Sequence, residues 1–423
     1  MTQKRKFDYA YVIIALCFLM IFIGLGFCSS NNSIYVQAIT KALGFKRGVF
    51  AFKESFRFVT TSVVSLFFGT LVKKFGAKKL IVTGFVSLIG AMVTYTFATE
   101  IWHFFGGSIL LGIGMSFSTT GMVGYVVDKW HPKNKGTIMG AVLAANGLGG
   151  ALAAKIVSPM IYDETNAFGY RNAYSLVAII LAAIAVLILI FFRNEPKTPP
   201  ELPENTGKKK RGGNWEGISF RKALRTPYFY VAAGTVFLTG LVLQSINGVA
   251  ATHIKDVGID TDFMSTVMSV HSICLALFKF LTGFVYDRKG LRFTMILCYL
   301  AGILTMAALY FIQPTGFGMG ASVFYAVVSS LALPLETVML PIITGDLFGR
   351  KDYAKILGII VAVNTAGYAL GAPLAGFVFD LMGSYRPTFV VGSVIFAVLV
   401  VIVQFTLNAA NRMKDRVAEE AEA

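Results

Sequence analysis

A few titratable side chains fall inside stretches that otherwise carry no charge and are long enough to cross a bilayer. Lys279, in Ala276-Leu277-Phe278-Lys279-Phe280, lies seven residues before Tyr286, about 10 Å along a helix at roughly 1.5 Å per residue. A charge at that depth costs about 2.5–3.5 kcal/mol on insertion scales and needs a reason. Three readings stand: a counter-ion for a substrate carboxylate, a structural ion pair, or a snorkelling lysine. Glu336 lies between Pro334 and Pro341, ten residues before Asp346. A desolvated carboxylate there either pairs with Lys279 or takes up a proton, so an anion bound at Lys279 would compete with it. His271 is a proton shuttle or a packed histidine. Arg57 shares a helix face with Lys53 at i,i+4 and could draw anions toward a cavity. Lys53 and Glu54 are expected in solvent at the outer interface, with Lys155 snorkelling.

Nothing else in the chain suggests covalent chemistry. The four cysteines, Cys17, Cys28, Cys274 and Cys298, stand in apolar runs with no Cys/His cluster, so neither a disulfide framework nor a metal site is expected. No nucleophile–base constellation appears in the apolar runs. The expectation is no enzyme and no cofactor.

The elements that position these residues follow from composition. Of 423 residues, 56% are hydrophobic and 14% charged, too apolar for a soluble domain. Apolar runs cover 9–34, 50–72, 79–98, 102–127, 136–160, 171–193, 227–252, 263–286, 291–312, 318–345, 353–379 and 385–408. In lipid each must be a helix, because every backbone group needs an internal partner. The fold class is therefore an all-α membrane protein of twelve transmembrane helices in two six-helix bundles, 1–193 and 227–408. A polar loop, 194–226, joins them; it holds Pro196, Pro199, Pro200, Pro203 and the run Lys208-Lys209-Lys210-Arg211, and ends in an amphipathic stretch, 220–228, suited to a membrane surface. The tail is 409–423. The first run is too long for a signal segment and reads as a retained span.

The net charge of +16 invites a nucleic-acid reading, which its location removes. If the N-terminus is inside, 28 of the 38 basic residues fall in inner loops and tails: around Lys4, Lys73, Lys129, the central loop, Arg288, Arg350 and Arg412. That is the positive-inside pattern. It puts both termini in the cytoplasm of a multi-pass cell-membrane protein, with the lipid bilayer as partner and no nucleic acid.

An inner loop recurs. Gly69-Thr70-Leu71-Val72-Lys73-Lys74-Phe75-Gly76 follows the second run, and Gly283-Phe284-Val285-Tyr286-Asp287-Arg288-Lys289-Gly290 follows the eighth. Two parallel halves related by an axis along the membrane normal are implied. These loops resemble the signature of the major facilitator superfamily, Gly-x-x-x-Asp-Arg-x-Gly, with Lys73 where the family usually has Asp. Lys129-Trp130-His131-Pro132 through Gly136, Gly140 and Asn146-Gly147-Leu148-Gly149-Gly150, with Leu224-Arg225-Thr226-Pro227-Tyr228-Phe229 and Asp346-Leu347-Phe348-Gly349, resemble its oxalate/formate antiporter-like and monocarboxylate transporter-like branch.

The resemblance implies gating loops built on Gly69, Gly76, Gly283, Asp287, Arg288 and Gly290. It places Lys279 where members of the branch carry a substrate-binding Arg, and Leu275 where monocarboxylate transporters keep an Asp that Glu336 would replace. Polar groups of the first helix of each half would orient substrate: Asn31, Asn32 and Tyr35 with Ser29 and Ser30, and Gln244 with Asn247. Asn146 and Asn364 join them, or else serve as helix–helix hydrogen bonds. Asn364 stands where the oxalate exchanger has a second cation, which favours a monoanion.

The expected function is a monomeric secondary transporter of a small organic anion, a monocarboxylate, by alternating access with a proton or a counter-anion. No Gly-rich loop followed by Lys-Ser/Thr suggests ATP. Two alternatives are a drug or metabolite efflux carrier of the same superfamily, which a deep cation disfavours, and a transport-silent sensor.

Overall fold

The computed structural model describes residues 9–30, 32–45, 47–130, 134–161, 166, 168–196 and 217–422; the side chains at 32–34, 36–37, 47–48, 51, 158, 261–262, 265 and 416–422 are outside that description. The N-terminal basic cluster, His131 to Lys133 and most of the central loop, including Lys208 to Arg211, also lie outside it.

Secondary structure among the described residues is helical throughout. Eleven helical stretches are long and apolar enough to cross a membrane. Span 1 is Ala10–Phe27, its last turn, Phe22–Phe27, wound as a π-helix. Spans 2 to 7 are Phe52–Phe75, Ala77–Thr96, Ile101–Trp130, Lys135–Ile161, Gly169–Phe191 and Pro227–Asp256. Span 10 is Gly316–Glu336, continued by Met339–Phe348; span 11 is Tyr353–Met382 and span 12 Arg386–Asp415.

The remaining stretch, Thr266–Tyr310, is 45 residues long, about 68 Å at 1.5 Å per residue and twice what a bilayer core needs. Gly290, at φ 80° and ψ 176°, breaks it. Divided there, it supplies span 8 (261–289) and span 9 (291–310), which makes twelve. Gly76, at φ 77°, makes the matching turn between spans 2 and 3. The second glycine of the repeated loop is thus required by a left-handed backbone that other residues adopt at a cost.

Span 1 is shorter than the apolar run 9–34. The polar cluster from Ser29 to Asn32 competes for backbone hydrogen bonds and favours a turn, and a separate helix, Asn32–Leu43, begins after it. The amphipathic stretch expected over 220–228 is one short helix, Phe220–Leu224, capped by the Ser219 hydroxyl. It is tied to protein: Ile218 N–H donates to Phe348 O at 3.1 Å and Phe220 N–H to Asp352 Oδ2 at 2.9 Å.

The fourth helix of each half is interrupted. Span 10 tightens into a 3-10 turn over Leu333–Glu336, at Pro334. Span 4 breaks at Thr119, between Ile101–Ser118 and Thr120–Trp130. There Ser116, Ser118 and Thr119 hydroxyls donate to the carbonyls of Gly112, Gly114 and Met115, the back-bonding that bends helices. The halves meet along two seams, span 2 against span 11 and span 5 against span 8.

Candidate functional site

The seams bring the deep charges near one another without pairing them. Span 8 crosses span 5 so closely that a Cβ at Gly140 would lie 2.4 Å from the Lys279 carbonyl. Lys279 is 2% exposed, and among the described residues its side chain makes no hydrogen bond or ion pair. Glu336, 6% exposed, accepts a 2.5 Å hydrogen bond from the Tyr368 hydroxyl through Oε1, while its buried Oε2 has no partner. The two charges are within Coulombic reach but form no ion pair.

Tyr368, on span 11, was not picked out in the sequence, although it stands one helical turn after Asn364. Its hydroxyl accepts from Asn247 Nδ2 at 3.5 Å, and its ring meets Phe58 of the opposite half at 5.4 Å. Arg57 lies over Phe58 at 4.0 Å and is neutralised by Glu54 at 2.6 Å. Glu336, Tyr368 and Asn247 therefore form one hydrogen-bonded group in the C-terminal half, which meets Arg57 across the 2–11 seam only through the Phe58 ring, with Lys279 on the 5–8 seam.

The other expected residues are placed apart from this group. Asn364 is buried between spans 7 and 11, its amide donating to Val236 O at 3.2 Å. His271 is packed between spans 8 and 10: its Nδ1 contacts Ala326 O, Ser329 Oγ and Ser330 Oγ at 3.2, 2.9 and 3.1 Å, with Tyr325 stacked on the ring. Asn146 accepts from Ser30 Oγ at 2.8 Å within the N-terminal half. Gln244 is half-buried on span 7. Tyr35 lies on the helix Asn32–Leu43 and stacks on Tyr174 at 4.2 Å. Asn31 lies outside the described residues, as does the Asn32 side chain.

Lys53 corrects the expectation of a solvated interface residue. It is 2% exposed, with its ammonium over the rings of Phe50 and Tyr95 at 4.9 and 5.3 Å. It is caged by cation–π contacts contributed by residues far apart in sequence. Lys155 is exposed. Among the described residues no group of three or more His, Cys, Asp or Glu could hold a metal.

The inner end, which carries the basic loops, is closed by contacts between the halves. A Cβ at Gly283 would lie 1.9 Å from Gly136 O, and one at Gly69 would lie 2.3 Å from the Lys355 backbone. The first glycine of each repeated loop thus sits where the backbones of the two bundles touch. Asp287 accepts from Gly136 N–H, Thr137 N–H and Thr137 Oγ1 at 3.2, 2.7 and 2.6 Å. Lys73 pairs with Asp352 at 2.7 Å, Lys135 with Asp346 at 3.5 Å, and Arg350 with Asp128 at 3.5 Å. Tyr286 donates to both oxygens of Asp346 at 2.8 Å. Arg288 points elsewhere, over the Phe284 ring at 4.2 Å. Burial works to raise the Asp352 carboxyl, but the Lys73 hydrogen bond, the Phe220 N–H and the nearby lysines outweigh it and hold it below the usual carboxylate range.

A family model described as Major Facilitator Superfamily matches residues 14–246 and 232–423. The chain belongs to the major facilitator superfamily. This superfamily member is similar to the sialic acid transporter NanX of Escherichia coli (strain K12), 23% identical over 357 residues, 83% of each chain. It is also similar to monocarboxylate transporter 13 of Bos taurus, 27% identical over 330 residues, 76% of this chain and 71% of that one. Monocarboxylate transporter 2 of Homo sapiens is 21% identical over 370 residues, 83% and 76%. Among solved structures, the proton:xylose symporter XylE matches with a TM-score of 0.75 at 13% identity, over 94% of this chain and 96% of that one. FucP in the outward conformation gives 0.70 at 16% identity, over 94% and 99%. The chain is accordingly a multi-pass membrane transporter of this superfamily, similar to monocarboxylate transporters, and not an enzyme.

Proposed function

We propose that this transporter carries a small organic anion, a monocarboxylate, through a site whose counter-ion is Lys279. The observation that carries the reading is a buried cation with no ion pair among the described residues, beside an acid held by another partner, Tyr368. An unpaired buried charge is costly, and a substrate carboxylate offsets that cost only when bound. Glu336 is the proton-coupling group: its orphan oxygen takes a proton or turns toward Lys279 when the substrate leaves. The names of relatives that carry sialic acid and monocarboxylates favour an organic acid.

The halves 1–193 and 227–408 rock about the site, the loops at Gly69, Gly76, Gly283, Asp287, Arg288 and Gly290 forming the inner gate. Both termini face the cytoplasm at the cell membrane, as the basic loops direct. Driving ion and counter-anion are separated by experiment: purified protein in liposomes is assayed for uptake of radiolabelled small monocarboxylates under an inward proton gradient and for counterflow without one. Uptake with Lys279→Gln inactive in both modes is expected. Absence of any carboxylate flux, or normal transport by Lys279→Gln, overturns the reading.

A further inference from the structure

At the end of the C-terminal half that carries the basic loops, a cavity of about 390 Å³ is lined by Lys289, Arg292 and Lys414, with Asp346 the one acid in its wall. The Asp346 charge is already met by Lys135 and Tyr286, and Arg292 donates only to the neutral amide of Asn408, so Lys289 and Arg292 make the cavity net cationic. Leu291, Leu347 and Leu407 are shared with an adjoining cleft, which continues between spans 7, 9, 10 and 12 along Val236, Met295 and Val403. The cleft is almost entirely apolar and narrow, about 30 Å³, so it closes the cavity on that side with an apolar wall. Phe293 and Phe405, 50% and 69% exposed, mark this side as lipid-facing.

The equivalent place in the N-terminal half is plugged. At Gly76 the Asn194 side chain lies 3.1 Å from where a Cβ would be, and its Oδ1 accepts from Lys78 N–H at 2.7 Å. At the matching Gly290, nothing lies within 4 Å of where a Cβ would be. Positive-inside topology accounts for cations in both halves; it does not account for a cavity in one.

We propose that this cavity binds the headgroup of an acidic glycerophospholipid from the inner leaflet, its phosphate among Lys289, Arg292 and Lys414 and its acyl chains running out past the lipid-facing Phe293. Basic pockets between membrane helices take such headgroups. A free phosphate has no use for the lipid-facing apolar rim at Phe293, and a zwitterionic lipid adds a positive charge to a positive site.

The test is native mass spectrometry of the full-length protein in detergent with dioleoyl-phosphatidylglycerol, dioleoyl-phosphatidylcholine or inorganic phosphate. Wild type retains one phosphatidylglycerol, and the triple variant K289Q/R292Q/K414Q binds it roughly a hundredfold more weakly, the effect of three cations near an anionic lipid. Lys78→Gln with Lys79→Gln, the corresponding change in the plugged half, leaves binding intact. Leu407→Trp keeps every charge and fills the shared wall, so its loss of binding is read even if the triple variant fails to fold. Equal retention of phosphatidylcholine, displacement by phosphate alone, or full binding by Leu407→Trp overturns the proposal.

Discussion

In the C-terminal half the carboxylate of the repeated loop, Asp287, reaches across to the start of span 5 and caps its first amides. In the N-terminal half the loop supplies a cation, Lys73, and the carboxylate stands at the start of span 11 itself, as Asp352. The inner gate therefore has the same electrostatic arrangement twice, an anion at the N-terminus of the facing helix where its dipole favours one, with the side that contributes it exchanged. The departure at Lys73 is compensated rather than lost. Within the spans the halves differ in kind. Arg57 has Glu54, and Lys53 has aromatic rings, whereas Lys279 has no partner among the described residues. On the proposed function, the anion is therefore held on the C-terminal side.

The largest expected effect follows from that asymmetry. Losing a charge-assisted hydrogen bond costs about 1.5–3 kcal/mol, roughly 10- to 150-fold, so Lys279→Gln lowers carboxylate uptake by about that factor in kcat/KM. Arg57→Gln costs less, because Glu54 already cancels most of its field. Uptake measured side by side decides it: an Arg57 loss exceeding the Lys279 loss would put the anion site in the N-terminal half.

Next is the closeness of the seams. Adding a methyl where the backbones touch is overpacking, which costs about 1–3 kcal/mol. Gly283→Ala and Gly69→Ala should each shift the population away from the closed inner end by about tenfold. The readout is alkylation of a cysteine introduced on the span 5 or span 11 side of the gate. Wild-type alkylation rates in both variants would mean that the repeated glycines are not where the bundles bear on each other.

Much of this was legible from residues. Twelve spans follow from apolar runs, because lipid leaves helices as the only choice, and the break in span 10 follows from Pro334. The break in span 4 does not, since it rests on Ser116, Ser118 and Thr119, whose hydroxyls act on the backbone only once the helix exists. The glycine repeat was visible but its partners were not, because Gly136 and Lys355 lie in the other bundle. Lys53 was misplaced for a similar reason. A lysine near the start of an apolar run looks the same in water as under Tyr95, and only the packing of span 2 on span 3 tells them apart.

Tyr368→Phe is expected to act more weakly and more selectively. Removing the hydroxyl frees Glu336 Oε1 while keeping the ring against Phe58. Counterflow, which needs no net proton movement, should stay within about twofold, while the pH profile of net uptake moves; hydrogen bonding to one form of a carboxyl shifts its titration. A role confined to packing would leave the profile where it was.

The smallest effect belongs to Lys73 and Asp352. The Lys73 side chain is 53% exposed and that of Asp352 17%, and such pairs contribute about 0–1 kcal/mol. Because the Asp352 carboxyl is held below its ordinary value, its contribution to closure is present above the usual carboxylate pKa of about 3.9 and fades as pH falls through the depressed one. Acid, not alkali, should loosen this end of the gate. Lys73→Gln should raise inner-end cysteine alkylation by up to about fivefold, and Asp352→Asn by somewhat more, since it also weakens the acceptor for the Phe220 N–H. The exchanged double variant, Lys73→Asp with Asp352→Lys, restores the ion pair but sets a cation at the start of span 11, where the helix dipole disfavours it. It should therefore recover only the Lys73 share of the loss. Full recovery would show that the ion pair alone closes the N-terminal side, and that its likeness to Asp287 is geometric rather than electrostatic.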